Sequence, residues 1–196
     1  ALLEAGCDAN VLDYAGSSPL HVATEHGFGV VTKMLLDANA DCQAIDANGD
    51  SALNKAARGR HDDVVKILLE AGANPNSWDE FGDTPLHLAA RHGECRMIER
   101  LTQFGPVDVD SLNDKQQSAL YMAVKNGDTD SIPIILGIGA SLTAGFGSHG
   151  SAVYLAAHLG LQNCLDVIVE HYYDGAKAID LEGEDVPSPL VHAVQN

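Results

Sequence analysis

His21 and His87 are the side chains best placed to do chemistry in this 196-residue chain. Each follows a hydroxyl and a proline in a short apolar run, "SSPLHVA" from Ser17 and "DTPLHLA" from Asp83. Each also has a second histidine, His26 or His92, five residues on. An imidazole beside a hydroxyl can act as a general base or bind a metal. The spacing supports neither role. Positions five apart do not share a helix face, so the paired histidines do not converge. No HExxH or CxxC pair supplies zinc ligands, and the glycines do not gather into a phosphate-cradling loop behind a strand. Ser, His and Asp are plentiful, but instead of clustering they recur.

Aligned on the hydroxyl before the apolar run, the pattern appears at Ser18, Ser51, Thr84, Ser118, Ser151 and Ser188, in steps of 33, 33, 34, 33 and 37 residues. A second block, "LLEAGCDAN", "LLDANADCQ", "LLEAGANPN", recurs in phase. A period near 33 marks a stacked repeat array. The histidine slot is held in turn by His21, Asn54, His87, Tyr121, Tyr154 and Val191. A catalytic or metal-binding role does not survive such exchange, whereas a turn-bracing hydrogen bond survives in some of the units. No catalytic, metal-ligating or cofactor-binding residue is therefore expected, and the chain does not read as an enzyme.

Each unit has a physical logic. The hydroxyls stand where they can cap the first amides of a helix, and Pro19, Pro85 and Pro189 occupy the first helical position, where a missing N–H costs nothing. Gly27, Gly93, Gly127 and Gly160 are placed to end the first helix in a left-handed cap, with Gly59-Arg60 shifted by one residue in the second unit. A second helix follows, clearest in "DDVVKILLEAG". Gly6, Gly72, Gly105, Gly139 and once Asn39 are expected to close it. Pro133 is tolerable only in the first turn of its helix. "DYAG", "DANG" and "DEFG" read as turns led by Asp with Gly fourth. Alone, a turn and two helices cannot bury their apolar faces; stacking supplies the core.

With two motifs in phase over essentially the whole chain, the sequence resembles the ankyrin repeat family. The resemblance implies an all-α solenoid of helix–turn–helix units joined by β-turn or hairpin loops. Its expected boundaries are a partial unit at 1–12, units at 13–45, 46–78, 79–112, 113–145 and 146–182, and a partial unit at 183–196, together one domain. Because both ends cut through a unit, the chain is expected to be a fragment of a longer protein. The segments 139–150 and 171–187 depart from the pattern.

The formal net charge is −17. Residues 1–54 carry eight acids against Lys33, residues 166–196 seven against Lys177, while 55–100 is near neutral, with seven Lys/Arg against eight acids. Such a balance argues against nucleic acid and anionic lipid as partners. No apolar run reaches the length of a membrane span. The four cysteines show no paired spacing and there is no N-x-S/T sequon, so an intracellular location, cytoplasmic or nuclear, is expected.

The resemblance further implies protein–protein recognition on a concave strip built from turn tips and first helices, and no small-molecule substrate. Carried over by position, the expected partner-binding residues are Tyr14, Glu80, Phe81, Trp78 and Lys115 on the turns, with Glu25, Arg58, Arg91, His92 and Lys125 on the first helices. Trp78 is the only tryptophan, and exposed Trp and Arg are favoured interface anchors. Arg58, Arg91 and Lys125 hold one repeat position and read as a rail for an acidic or extended segment. The expected function is an interaction scaffold or adaptor. The alternative is the recognition or autoinhibitory arm of a larger enzyme, channel, transcriptional regulator or secreted effector.

Overall fold

The structure, a computed structural model, describes residues 8–145 and 151–174, with side chains through 171. The expectations for Gly6, the partial unit 183–196, Ser188, and the irregular stretches 146–150 and 175–187 lie outside the described residues. Two compact units, Ala1–Asp108 and Val109–Asn196, divide the chain. The first holds α1 (Pro19–Glu25), α2 (Gly29–Asp37), α3 (Ala52–Arg58), α4 (Asp62–Glu70), α5 (Pro85–His92) and α6 (Cys95–Gln103). The second holds α7 (Ala119–Lys125), α8 (Ser131–Gly137), α9 (Ala152–His158) and α10 (Gln162–Asp174).

Every first helix among the described residues starts the same way. Ser18, Ser51, Thr84, Ser118 and Ser151 adopt extended backbone, and each side-chain oxygen accepts the N–H three residues on. Pro19 and Pro85 open their helices as expected. Gly27, Gly93, Gly127 and Gly160 follow the first helices with φ of 72°, 67°, 67° and 64°. In the second repeat Gly59 is right-handed, and Arg60 takes the left-handed slot at φ 61°. Asn39, Gly72 and Gly139 are left-handed after their second helices. Gly105 differs from expectation: its φ is not in the left-handed region, and Phe104 closes α6. Pro133 stands third in α8, where its nitrogen has no intrahelical partner to lose.

In the first unit α1 packs on α3 and α3 on α5, while α2 packs on α4 and α4 on α6; each first helix also meets its own second helix. In the second unit α7 packs on α9, α8 on α10, and each pair on itself. Leu20, Leu53 and Leu86 occupy one repeat position and are at most 1% exposed. Leu35, Leu68 and Leu101 occupy a second and are likewise buried. Each contributes about 1.5–3 kcal/mol on leaving water.

Polar staples repeat at the start of the turn arms. Asn10 accepts from the Asp41 N–H at 2.8 Å and donates to the Asn39 carbonyl at 3.2 Å. Asn76 does the same to Asp108 and Pro106, at 2.9 and 2.8 Å. Gln43 reaches Asn74 and Gly72 in the same manner. These satisfy chain groups between helices that no ladder would pair.

Two measurements check this packing. Urea denaturation of Leu86→Ala should show a loss of about 2–4 kcal/mol. Gly27→Ala should cost about 1–2 kcal/mol, because its φ of 72° is strained for an L side chain and the new Cβ would meet the His61 ring at 2.6 Å.

Candidate protein-interaction site

The histidine slot is structural. Nδ1 of His21 accepts from the Ser18 N–H at 3.1 Å and meets its Oγ at 2.9 Å, while Nε2 meets the Ala44 carbonyl at 3.1 Å. A carbonyl requires a donor, so Nε2 carries the proton and Nδ1 is the acceptor. Both ring nitrogens are engaged in a side chain that is 0% exposed. His87 repeats the contacts to Thr84, at 3.2 and 2.8 Å. Where the slot holds Asn54, its amide donates to the Ser77 and Asp83 carbonyls at 3.3 and 3.2 Å and its oxygen accepts from the Ser51 hydroxyl. Imidazole and carboxamide thus do one job: they close the cap and reach the next turn arm.

The turns are built on a leading carboxylate or carboxamide. Oδ1 of Asp46 accepts the Asn48 and Asp50 N–H groups at 2.9 and 3.0 Å. Asp79 accepts those of Phe81 and Asp83 at 2.9 and 2.8 Å. Asp13 and Asn113 hold their turns in the same way. Gly16, Gly49 and Gly82 then turn at φ 68°, 82° and 71°, and Gln116 takes the same conformation at 57°.

The second oxygens of Asp46 and Asp79 are used for charge. Lys55 Nζ lies 3.0 Å from Asp46 Oδ2 and 3.4 Å from Glu25. Arg58 is shared, at 2.6 Å to Asp50 and 2.9 Å to Asp79 Oδ2. Arg91 pairs with Asp83. Burial works against the charge on Lys55, yet the hydrogen bond to Asp46 and the charges of Asp46, Glu25 and Asp50 outweigh it and raise the ammonium above its ordinary value. Burial likewise opposes ionisation of Asp46, but Lys55 and the backbone donors win and hold its carboxyl below the usual range. Arg58 is raised by its two carboxylates against the cost of burial.

The residues expected to meet a partner fall as follows. Tyr14 is fully exposed, Trp78 is 66% exposed and Phe81 51%. Glu80 is exposed between the two aromatics, and Glu25, Arg91 and His92 are exposed on the first helices. Partial burial and the neighbouring charges of Arg60 and Arg91 lower His92, with Glu94 opposing. The first unit therefore brings Trp78, Glu80, Phe81, Arg58 and Arg91 around the Asp79-led turn. In the second unit Lys115 is exposed in the Asn113-led turn and Lys125 at the last position of α7.

A family model described as ankyrin repeats in three copies matches residues 1–79 and 71–145. The chain belongs to the ankyrin repeat family. Its fold is the all-α ankyrin solenoid, and a crystal structure of EF0377, an ankyrin repeat protein, resembles it with a TM-score of 0.80. That structure is 23% identical, over 86% of this chain and 88% of its own. No curated protein sequence matches the chain. Ankyrin repeats are generally protein–protein interaction modules and typically non-catalytic. No helix among the described residues of this ankyrin array is long and apolar enough to cross a membrane.

Lys55 was missed by position-wise carry-over, although a signal existed. Its slot is held elsewhere by Val22, Leu88, Met122 and Leu155, so a lone cation among apolar equivalents requires a carboxylate partner. Removing that cation has a signed consequence. Lys55→Met strands the buried Asp46 and should cost about 3–5 kcal/mol at neutral pH. In the parent chain the raised Lys55 gives stability that is complete below the ordinary lysine value of about 10.4 and is lost as pH rises through its folded value. The lowered Asp46 gives stability present above about 3.9 that is lost as pH falls through its folded value. Denaturation midpoints across pH should show both limbs in the parent and a flattened alkaline limb in Lys55→Met.

Proposed function

We propose that the chain is a protein-interaction scaffold whose first unit receives a partner protein on the turn tips and first-helix ends around Trp78. The observation that carries this reading is the exposure of Trp78 and Phe81, 66% and 51%, on one short turn. Large aromatics held out to water gain most when a partner covers them, and they lose little rotational freedom on docking. The Asp79 carboxylate fixes the backbone between them, so the anchors are presented ready-made. Tyr14 offers a further aromatic on the first turn, and Glu25, Glu80 and His92 form the polar surround. Arg58 and Arg91 serve chiefly by holding the turns, since their guanidiniums already face carboxylates. Lys115 and Lys125 present polar surface of the same kind within the second unit.

A partner recovered by pull-down supplies the test. Trp78→Ala should weaken binding by about 30-fold, a loss of about 2 kcal/mol. Lys66→Ala, on α4 with only the surface pair to Glu70 at 3.7 Å, should change it by less than about threefold. Equal losses in two folded variants would place the partner on another face.

A further inference from the structure

Leu12, Ile45 and Trp78 occupy the same place in three successive turn arms of the first unit, one residue before Asp13, Asp46 and Asp79. Their exposures are nearly equal, at 64%, 65% and 66%. An apolar side chain two-thirds in water is ordinary once; the same exposure at three equivalent positions makes a stripe. Ile45 and Trp78 line one groove of about 470 Å³, floored by Leu53 and edged by Asn74, Asn76 and Ser77. Ile45 is held in position by an antiparallel bridge to Ser51, and Trp78 by the Asp79 turn that follows it.

The charge around this stripe has one sign. On the arms and first helices of the first unit the cations are Lys55, Arg58 and Arg91, and each is matched by a carboxylate. The other cations lie on second helices or before α4: Lys33, Arg60, Lys66, Arg96 and Arg100. Against these, Asp8, Asp13, Asp41 and Glu80 are exposed on the arms that carry the stripe, and no cation pairs with them among the described residues. The rail of arginines expected for an acidic segment is thus internally neutralised, and the charge left facing water is negative.

We propose that the stripe is a docking site for an extended, polyproline-II-like segment of another protein in which every third residue is apolar and basic residues lie between. This rests on the protein-interaction reading above and assigns the chemistry of its partner. The register follows from two spacings. Stacked helices lie about 8–10 Å apart, and one turn of polyproline II, three residues at about 3.1 Å each, spans about 9 Å and returns to the same face. Every third side chain of the segment therefore falls on Leu12, Ile45 or Trp78, and Lys or Arg between them meets the acids of the arms. Opposite charge at such a rim steers encounter and selects among partners.

The experiment pans a phage-displayed library of random dodecapeptides on the full 196-residue chain, followed by titration of the enriched peptides as synthetic probes. Enriched sequences should carry an excess of Lys and Arg with apolar residues at a spacing of three. Their affinity should fall about tenfold or more in Trp78→Ala and in Ile45→Ser, and should fall as salt is raised. Circular dichroism of both variants establishes that they remain folded. Enrichment of acidic sequences that still need Trp78 would overturn the basic assignment and leave the interaction face standing. Binding indifferent to both substitutions would overturn the stripe and weaken the face with it. A library that yields no binder overturns the stripe alone, because the pull-down measures the face independently.

Discussion

A carboxylate or carboxamide oxygen accepting two backbone N–H groups is the contact on which the rest depends. At Asp13, Asp46, Asp79 and Asn113 one oxygen gathers the amides two and four residues on. That closes the turn, delivers the next hydroxyl to its capping position, and so sets where each first helix begins. The second oxygen is then free to differ between repeats. In Asp46 and Asp79 it holds Lys55 and Arg58. Asn113 keeps the backbone function and carries no charge to be matched. One position serves geometry in all four turns and electrostatics in two.

The buried ion cluster that results is not a large source of stability. Carboxylates and ammonium groups lose hydration when covered, and their attraction roughly repays it. What the cluster does is tie neighbouring repeats in one register, because Arg58 on α3 reaches both Asp50 before its own helix and Asp79 in the following turn. An apolar contact tolerates a small slide between helices, whereas a bidentate guanidinium does not.

Much of the fold was legible because its rules are local. A hydroxyl followed by proline, a glycine closing a helix and an Asp-led turn each act within four residues, and repetition separates signal from coincidence. Arg60 in the left-handed slot was visible as a one-residue shift, while Gly105 misled because the chain there leaves α6 without the left-handed turn its composition suggests. The site was less legible. Exposure of Trp78 followed from its turn position, but the fate of Arg58 depended on Asp79, twenty-one residues away and in another repeat. Sequence spacing shows that two such groups exist at neighbouring registers; only packing decides whether they meet. Leu12 and Ile45 escaped notice for the opposite reason, since an isolated aliphatic residue before an Asp looks like ordinary loop and acquires meaning only when its exposure matches that of Trp78.

The exposure of Trp78 also fixes what light reports about this molecule. It is the only tryptophan, and with 66% of its surface in water its indole already experiences a largely aqueous dipolar environment in the folded chain. Loss of structure therefore changes its emission colour little, and a fluorescence melt would follow mainly the quenching geometry of one turn. Covering the same ring with another molecule changes its surroundings from water to hydrocarbon, so the emission maximum is a poor thermometer for this array and a sensitive register of occupancy.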